Sequence, residues 1–195
     1  VGCTVGGIQS FCGITTNAAK ADIKGVEVEA NALLARDFAG AGSNLRFVGA
    51  LGYVDAKYKR FIGPTGIDVS DIRTFQNTPK WTLSGTLSGG VAMAGGSLDL
   101  SSTLSYRSLT HQFEVPIPAL DQPGYALWDA SIVWTSADDH YSLGLHGKNL
   151  TDKHYITSGY NYQSAAGLST LGREGVLTAF YGNPRQVFVT GTVKF

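Results

Sequence analysis

The residues from Gln186 to Phe195 alternate strictly. Val187, Val189, Gly191, Val193 and Phe195 fall on one face, and Gln186, Phe188, Thr190, Thr192 and Lys194 fall on the other. A period of two is that of a β-strand, here with one apolar and one mostly polar side. A strand that runs to the final aromatic leaves no room for a closing loop, so the residues before it are expected to supply the sheet it joins.

Six earlier segments repeat the pattern. From Asp22 to Leu34 the residues Val26, Val28, Ala30, Ala32 and Leu34 oppose Glu27, Glu29 and Asn31. From Leu45 to Tyr53 the apolar side is Leu45, Phe47, Leu51 and Tyr53, with Gly49 among them and Arg46, Ala50 and Gly52 across. Lys80 to Ala92 sets Trp81, Leu83, Leu87 and Val91 against Thr82, Ser84, Thr86 and Ser88. A tight turn at Ala94–Ser97 then leads to Leu98, Leu100, Leu104 and Tyr106, opposite Asp99, Ser101, Thr103, Ser105 and Arg107. Trp128, Ala130, Ile132 and Trp134 face away from Asp129, Ser131 and Thr135, and Tyr141, Leu143 and Leu145 away from Ser142, Gly144 and His146.

The connections between these seven strands alternate short and long. The long ones, about Lys59–Thr78, Ser108–Pro123 and the stretch before Tyr181, are polar or proline-bearing; Pro116, Pro118 and Pro123 exclude the second from a sheet interior. Such alternation is the habit of outer-membrane barrels, with short periplasmic turns and long outer loops. No amphipathic helix is present to cover seven apolar faces in water. A closed barrel in lipid covers them and leaves no backbone edge unpaired. Charged residues make up 15% of the chain, below the usual quarter, and the mean hydropathy is +0.01, as interleaved faces require. No apolar run approaches the ~18 residues of a membrane helix. Tyr53, Trp81, Tyr106 and Trp128 fall near long loops, and Trp134, Tyr141 and Phe195 near short turns, which gives two aromatic girdles.

The start, Val1-Gly-Cys-Thr-Val-Gly-Gly, is not a signal peptide, so an export signal is expected to have been removed or to lie in a part of the chain not shown. Basic and acidic residues balance at 15 each, so nothing predicts nucleic-acid binding. Cys3 and Cys12 are spaced for a small loop closed by a disulfide in an oxidising compartment, two free thiols being the other reading. His111, His140, His146 and His154 are dispersed without metal-ligand spacing, and no Ser-His-Asp or Cys-His arrangement or phosphate-cradling loop can be drawn. The expectation is no enzyme, no cofactor and no metal. Asn149, Asp152 and Tyr155 read as structural: the first two bond backbone where a strand leaves the membrane, and the third anchors at the interface.

Four segments carry a resemblance. They are Asn17-Ala-Ala-Lys-Ala-Asp-Ile-Lys-Gly-Val-Glu-Val-Glu29, Gly124-Tyr-Ala-Leu-Trp-Asp-Ala-Ser131, Gly147-Lys-Asn-Leu-Thr-Asp-Lys-His-Tyr155, and Tyr181-Gly-Asn-Pro-Arg185 with the terminal strand. In combination and order they resemble the C-terminal part of the β-barrel of a TonB-dependent outer-membrane receptor. The resemblance implies an all-β, antiparallel, up-and-down transmembrane barrel of 22 strands by the family's pattern, of which residues 1–195 would be the last seven strands. The N-terminal plug would lie outside the chain. It further implies active uptake of a scarce nutrient such as a ferric siderophore, driven through the TonB complex, in the cell outer membrane of a Gram-negative bacterium. Expected partners are outer-membrane lipid, the barrel-assembly machinery and the small ligand. Phe195, with Val193 and Val189, would form the barrel-assembly signal. Ligand contacts are expected in the outer loops and rim, at Arg107, Tyr160, Tyr162, Arg173 and Glu174. A passive porin-like barrel and a soluble β-sandwich adhesin or lectin are the rival readings.

Overall fold

The computed structural model describes residues 2–5, 8–11, 19–63, 65–161 and 176–195. The strands in chain order are β1 (Gly2–Val5), β2 (Ile8–Phe11), β3 (Ala19–Arg36), β4 (Asn44–Phe61), β5 (Trp81–Met93), β6 (Gly96–Arg107), β7 (Tyr125–Ser136), β8 (Tyr141–Lys148), β9 (Ile156–Asn161), β10 (Leu177–Tyr181) and β11 (Gln186–Val193). One turn of 3-10 helix lies at Ser70–Ile72. Seven strands form a single antiparallel sheet in the order β11-β8-β7-β6-β5-β4-β3, while β1 with β2 and β9 with β10 make two separate hairpins. Each strand of the wall therefore bonds to its neighbour in the chain, apart from the step from β8 to β11 that spans the β9–β10 hairpin. Among the described residues no helix is long and apolar enough to cross a membrane.

Directly paired residues share a face of a sheet, so the register decides whether seven separate apolar faces make one surface. They do. One row reads Val189, Leu145, Ile132, Leu100, Gly89, Leu45 and Ala35 across all seven strands. The rows on either side include Gly191, Leu143, Trp134, Leu98 and Val91, then Val187, Gly147, Ala130, Ser102, Leu87, Phe47 and Ala32. From Val91 to Trp81 the strand covers about 33 Å, which at a tilt near 40° is ~25 Å of height, the thickness of the apolar band of such barrels.

Two details maintain that surface. Glycines at 49 and 85 leave a flat place over which the Phe47 ring lies; a Cβ at Gly49 would stand 2.8 Å from Phe47 Cζ. Two of the three indole N–H groups bond within the wall: Trp128 donates to Ser102 Oγ at 2.9 Å and Trp134 to the Met93 carbonyl at 3.3 Å.

The other face carries Ser, Thr and charged side chains, with Thr86 and Thr103 hydrogen-bonded across β5 and β6 at 2.8 Å. No second layer covers the seven-stranded sheet among the described residues, and Leu120, at 2% exposure, is their one buried hydrophobic side chain. That arrangement removes the sandwich reading, which needs two sheets packed face to face.

Several boundaries differ from those expected. β4 runs on to Phe61 although its apolar face ends at Tyr53, because Asp55, Lys57 and Lys59 keep the alternation with charge in place of grease. A bulge between Leu33 and Ala35 places Ala35, and not Leu34, opposite Leu45. Paired strand ends at Val193, two residues short of Phe195. The β5–β6 turn puts Ala94 and Gly95 at φ of 50° and 70°, the two-residue hairpin geometry that suits the right-handed twist of the strands.

Candidate functional site

The long connections all leave one end of the sheet, and they are bonded to one another. The 62–80 connection is fixed at its root by Asp68, whose carboxylate accepts the Phe61 and Ser70 amides at 2.9 and 3.1 Å. Those backbone bonds hold the Asp68 carboxyl below its ordinary range. The connection then crosses to the one between β6 and β7. The Thr74 amide donates to the Glu114 carbonyl at 2.7 Å and the Asn77 amide to the His111 carbonyl at 2.9 Å. The Arg73 guanidinium pairs with the Glu114 carboxylate and lies over the Phe61 ring, 4.5 Å from its centroid. Phe75 stacks on Tyr58 at 4.3 Å, covering the inner side of upper β4.

The 108–124 connection is closed on itself and then tied to the third. Thr110 and Gln122 exchange two backbone hydrogen bonds of 2.9 Å, and His111 Nδ1 meets Asp121 Oδ2 at 2.8 Å. Gln122, only 6% exposed, accepts the Ile156 amide of β9 on Oε1 at 2.6 Å. Leu120 lies against Gly159, where any Cβ would meet its methyls at 3.3 Å. The described parts of the three long connections thus form one platform, with Leu120 as its small core and Gln122 tying the second connection to the third.

Beneath the platform, the Asn-Leu-Thr-Asp motif clamps the third connection to the sheet. Asn149 is 5% exposed and uses its whole side chain. Its Nδ2 donates to the Lys153 and Asn183 carbonyls at 2.9 and 3.0 Å, and its Oδ1 accepts the Lys153 amide at 2.8 Å. Its own amide donates to Asp129 Oδ1 on β7 at 2.8 Å, and Asp152 Oδ1 accepts the Arg185 amide at 2.9 Å. Asn149 and Asp152 sit at φ of 47° and 54°, in the left-handed region that Asn and Asp tolerate best among residues with a Cβ. Tyr155 stacks on Tyr125 at 4.6 Å, packed against the bare backbone of Gly182. Asn149 and Asp152 thus bond backbone as their residue types imply, whereas Tyr155 packs on Tyr125, the partner of Arg107 on the polar face, and not at the expected membrane interface.

The expected ligand residues fall as follows. Arg107 ends β6 on the polar face, opposite Tyr125 and Thr82. Tyr160 lies on β9, 57% exposed, with its ring edge-on to Phe180 at 5.7 Å. Tyr162, Arg173 and Glu174 lie outside the described residues. Cys3 has a place only as backbone, opposite Ser10 in the β1–β2 hairpin, and Cys12 lies outside the described residues. On the inner wall a shallow recess is lined by Asp129, Ser131, His146, Lys148 and Phe188, with His146 stacked on Phe188 at 4.9 Å and bonded to Thr190 at 2.9 Å. Among the described residues no cluster of His, Cys, Asp and Glu is placed to hold a metal. Arg73, Glu114, Leu120 and Gln122 escaped the sequence reading because each acts through a partner on a different connection.

Residues 2–150 match the family described as TonB dependent receptor-like, beta-barrel. The chain belongs to that family of outer-membrane receptors. Its members are receptors and transporters, not enzymes. The fold is also similar to the crystal structure of the ferric yersiniabactin uptake receptor FyuA from Yersinia pestis, with a TM-score of 0.64 over 92% of this chain at 20% identity. At that identity the likeness speaks for the fold alone. The chain spans 24% of the FyuA chain. No curated protein matches the sequence.

Proposed function

We propose that the chain is one wall of a receptor that actively imports a scarce nutrient, such as a ferric siderophore, across the outer membrane of a Gram-negative bacterium. The platform binds the small ligand without covalent chemistry, and energy arrives through the TonB complex by way of a plug outside residues 1–195. Arg107 at the rim and Tyr160, Tyr162, Arg173 and Glu174 in the third connection contribute ligand contacts. The terminal strand, through Val189, Val193 and Phe195, is the segment the barrel-assembly machinery reads, and the apolar rows face outer-membrane lipid.

The observation that carries this reading is the bonding of three long connections into a single body at one end of the wall. A passive pore gains nothing from that cost in loop entropy, whereas a receptor presents a pre-ordered surface that loses little further entropy on binding. FyuA is named for uptake of a ferric ligand, which supports that ligand class for this chain. The test replaces Thr157–Phe180 in the full-length receptor with a short Gly-Ser linker and measures ligand binding and TonB-dependent uptake. Affinity is expected to fall roughly tenfold or more, the loss of about one strong contact. An unaltered dissociation constant rejects the platform as the binding surface.

A further inference from the structure

β4 outruns its neighbour on one side. The β4–β5 ladder ends at Tyr53 opposite Trp81, while β3 and β4 remain paired up to Ala19 and Phe61. The surplus forms a two-stranded ribbon above the Tyr53 and Trp81 rings, which lie 4.5 Å apart. Phe75 covers the ribbon's inner side at Tyr58. Its outer side continues the lipid face and carries Asp22, Lys24, Asp55, Lys57 and Lys59. Lys80, just before β5, reaches the same side.

Asp55 gathers the lysines. Lys57 Nζ lies 3.0 Å from its Oδ2 and Lys80 Nζ 3.9 Å from its Oδ1, while Lys59 Nζ is 3.3 Å from Asp22. Three ammonium groups pair with two carboxylates, Lys24 stands opposite Asp55 in the β3–β4 register, and the side chains of Lys57, Lys59 and Lys80 are 65%, 55% and 60% exposed. An ammonium offers three donors, so the paired lysines retain donors for a further acceptor. The excess is local, because the chain as a whole is neutral.

We propose that this outer ribbon face binds phosphate-bearing headgroups of the surrounding outer leaflet. The level fits: Asp55 and Lys57 stand about 7 and 13 Å along the strand beyond Tyr53, whose ring marks the boundary of the apolar band. The chemistry fits as well, since clustered ammonium groups bind phosphate as point charges and need no fixed fork geometry. The carboxylate of Asp55 keeps the ammonium groups together against their mutual repulsion. The inference rests on the membrane reading of the wall.

The test uses the full-length receptor in phosphatidylcholine nanodiscs doped with diphosphoryl lipid A, with bound lipid counted by native mass spectrometry. The triple variant Lys24→Gln, Lys57→Gln, Lys80→Gln is expected to lose roughly tenfold in apparent affinity, less than three unpaired lysines would give because Asp55 already offsets part of their charge. Arginines at the same three positions are expected to retain the lipid. Equal retention by the glutamine variant overturns the proposal, as does equal retention of dephosphorylated lipid A. Displacement of the lipid by inorganic phosphate at matched concentration overturns it too, in favour of a free-anion site. Membrane fractionation separates the two levels of failure. A wild-type receptor absent from the outer membrane removes the underlying reading, whereas one that inserts normally and retains lipid regardless of its lysines removes the headgroup site alone.

Discussion

Replacing Asn149 with alanine should release the third long connection at its root. The side chain makes three hydrogen bonds, to the Lys153 carbonyl, the Asn183 carbonyl and the Lys153 amide, and it is 5% exposed, so water does not readily replace them. At ~1 kcal/mol net for each bond, the loss is about 3 kcal/mol. The backbone adds to this, since φ of 47° costs a residue with a plain Cβ about 1 kcal/mol more than it costs glycine. The readout is amide hydrogen exchange at Lys153 in the full-length receptor, which reports local opening. Protection should fall by roughly a thousandfold in Asn149→Ala. In Asn149→Gly it should fall about fivefold less, because glycine accepts the left-handed conformation. In Asn149→Asp the two carbonyls lose their donor and face a carboxylate, so protection should drop at least as far as in alanine. Unchanged exchange at Lys153 in the alanine variant would refute the clamp, and equal loss in the glycine and alanine variants would refute the backbone part of the argument.

Gly182→Ala drives a methyl into the Tyr155 ring and should unstack it from Tyr125 at a cost of about 1–3 kcal/mol, read as earlier proteolysis of the third connection and relieved by the added change Tyr155→Ala. In the β7–β8 turn, hydrogen bonds from Ser136 and His140 hold the Asp138 carboxyl down at about 2. A depressed folded-state pKa means that the contribution is full above the ordinary value of 3.8 and is lost as the pH falls from there toward about 2. His140 resonances should report that loosening, and Asp138→Asn should remove the pH step. Deleting Phe195 from the full-length receptor should impair insertion, seen as loss of heat-modifiable migration from outer-membrane fractions; unchanged migration rejects the assembly role.

The wall was readable because its physics is local. Each strand carries a period of two, so Trp81, Leu83 and Leu87 announce their apolar side without reference to any partner. The register then joined those faces into rows, which no single strand could announce. Above Tyr53 the same period persists in Lys57 and Lys59, yet an apolar criterion misses it because charged side chains take the place of apolar ones. The platform was not readable for a different reason. Leu120 is buried by Gly159, Gln122 is satisfied by Ile156, and Arg73 is paired with Glu114. Each of these is a contact between connections whose path the sequence does not encode locally. The motif at Asn149 lies between the two cases: its residue types disclosed backbone bonding, and only the fold supplied Asp129, Lys153 and Asn183.

The chain-order pairing of the wall bears on how such proteins change size through evolution. Almost every ladder joins strands adjacent in sequence, so the duplication or loss of one hairpin leaves all other ladders with their original partners. Only the strands flanking the change must find new mates, and the short turns on the far side add little closure entropy to each inserted pair. A sheet paired in this way can gain or lose strands two at a time without disturbing the ladders that remain.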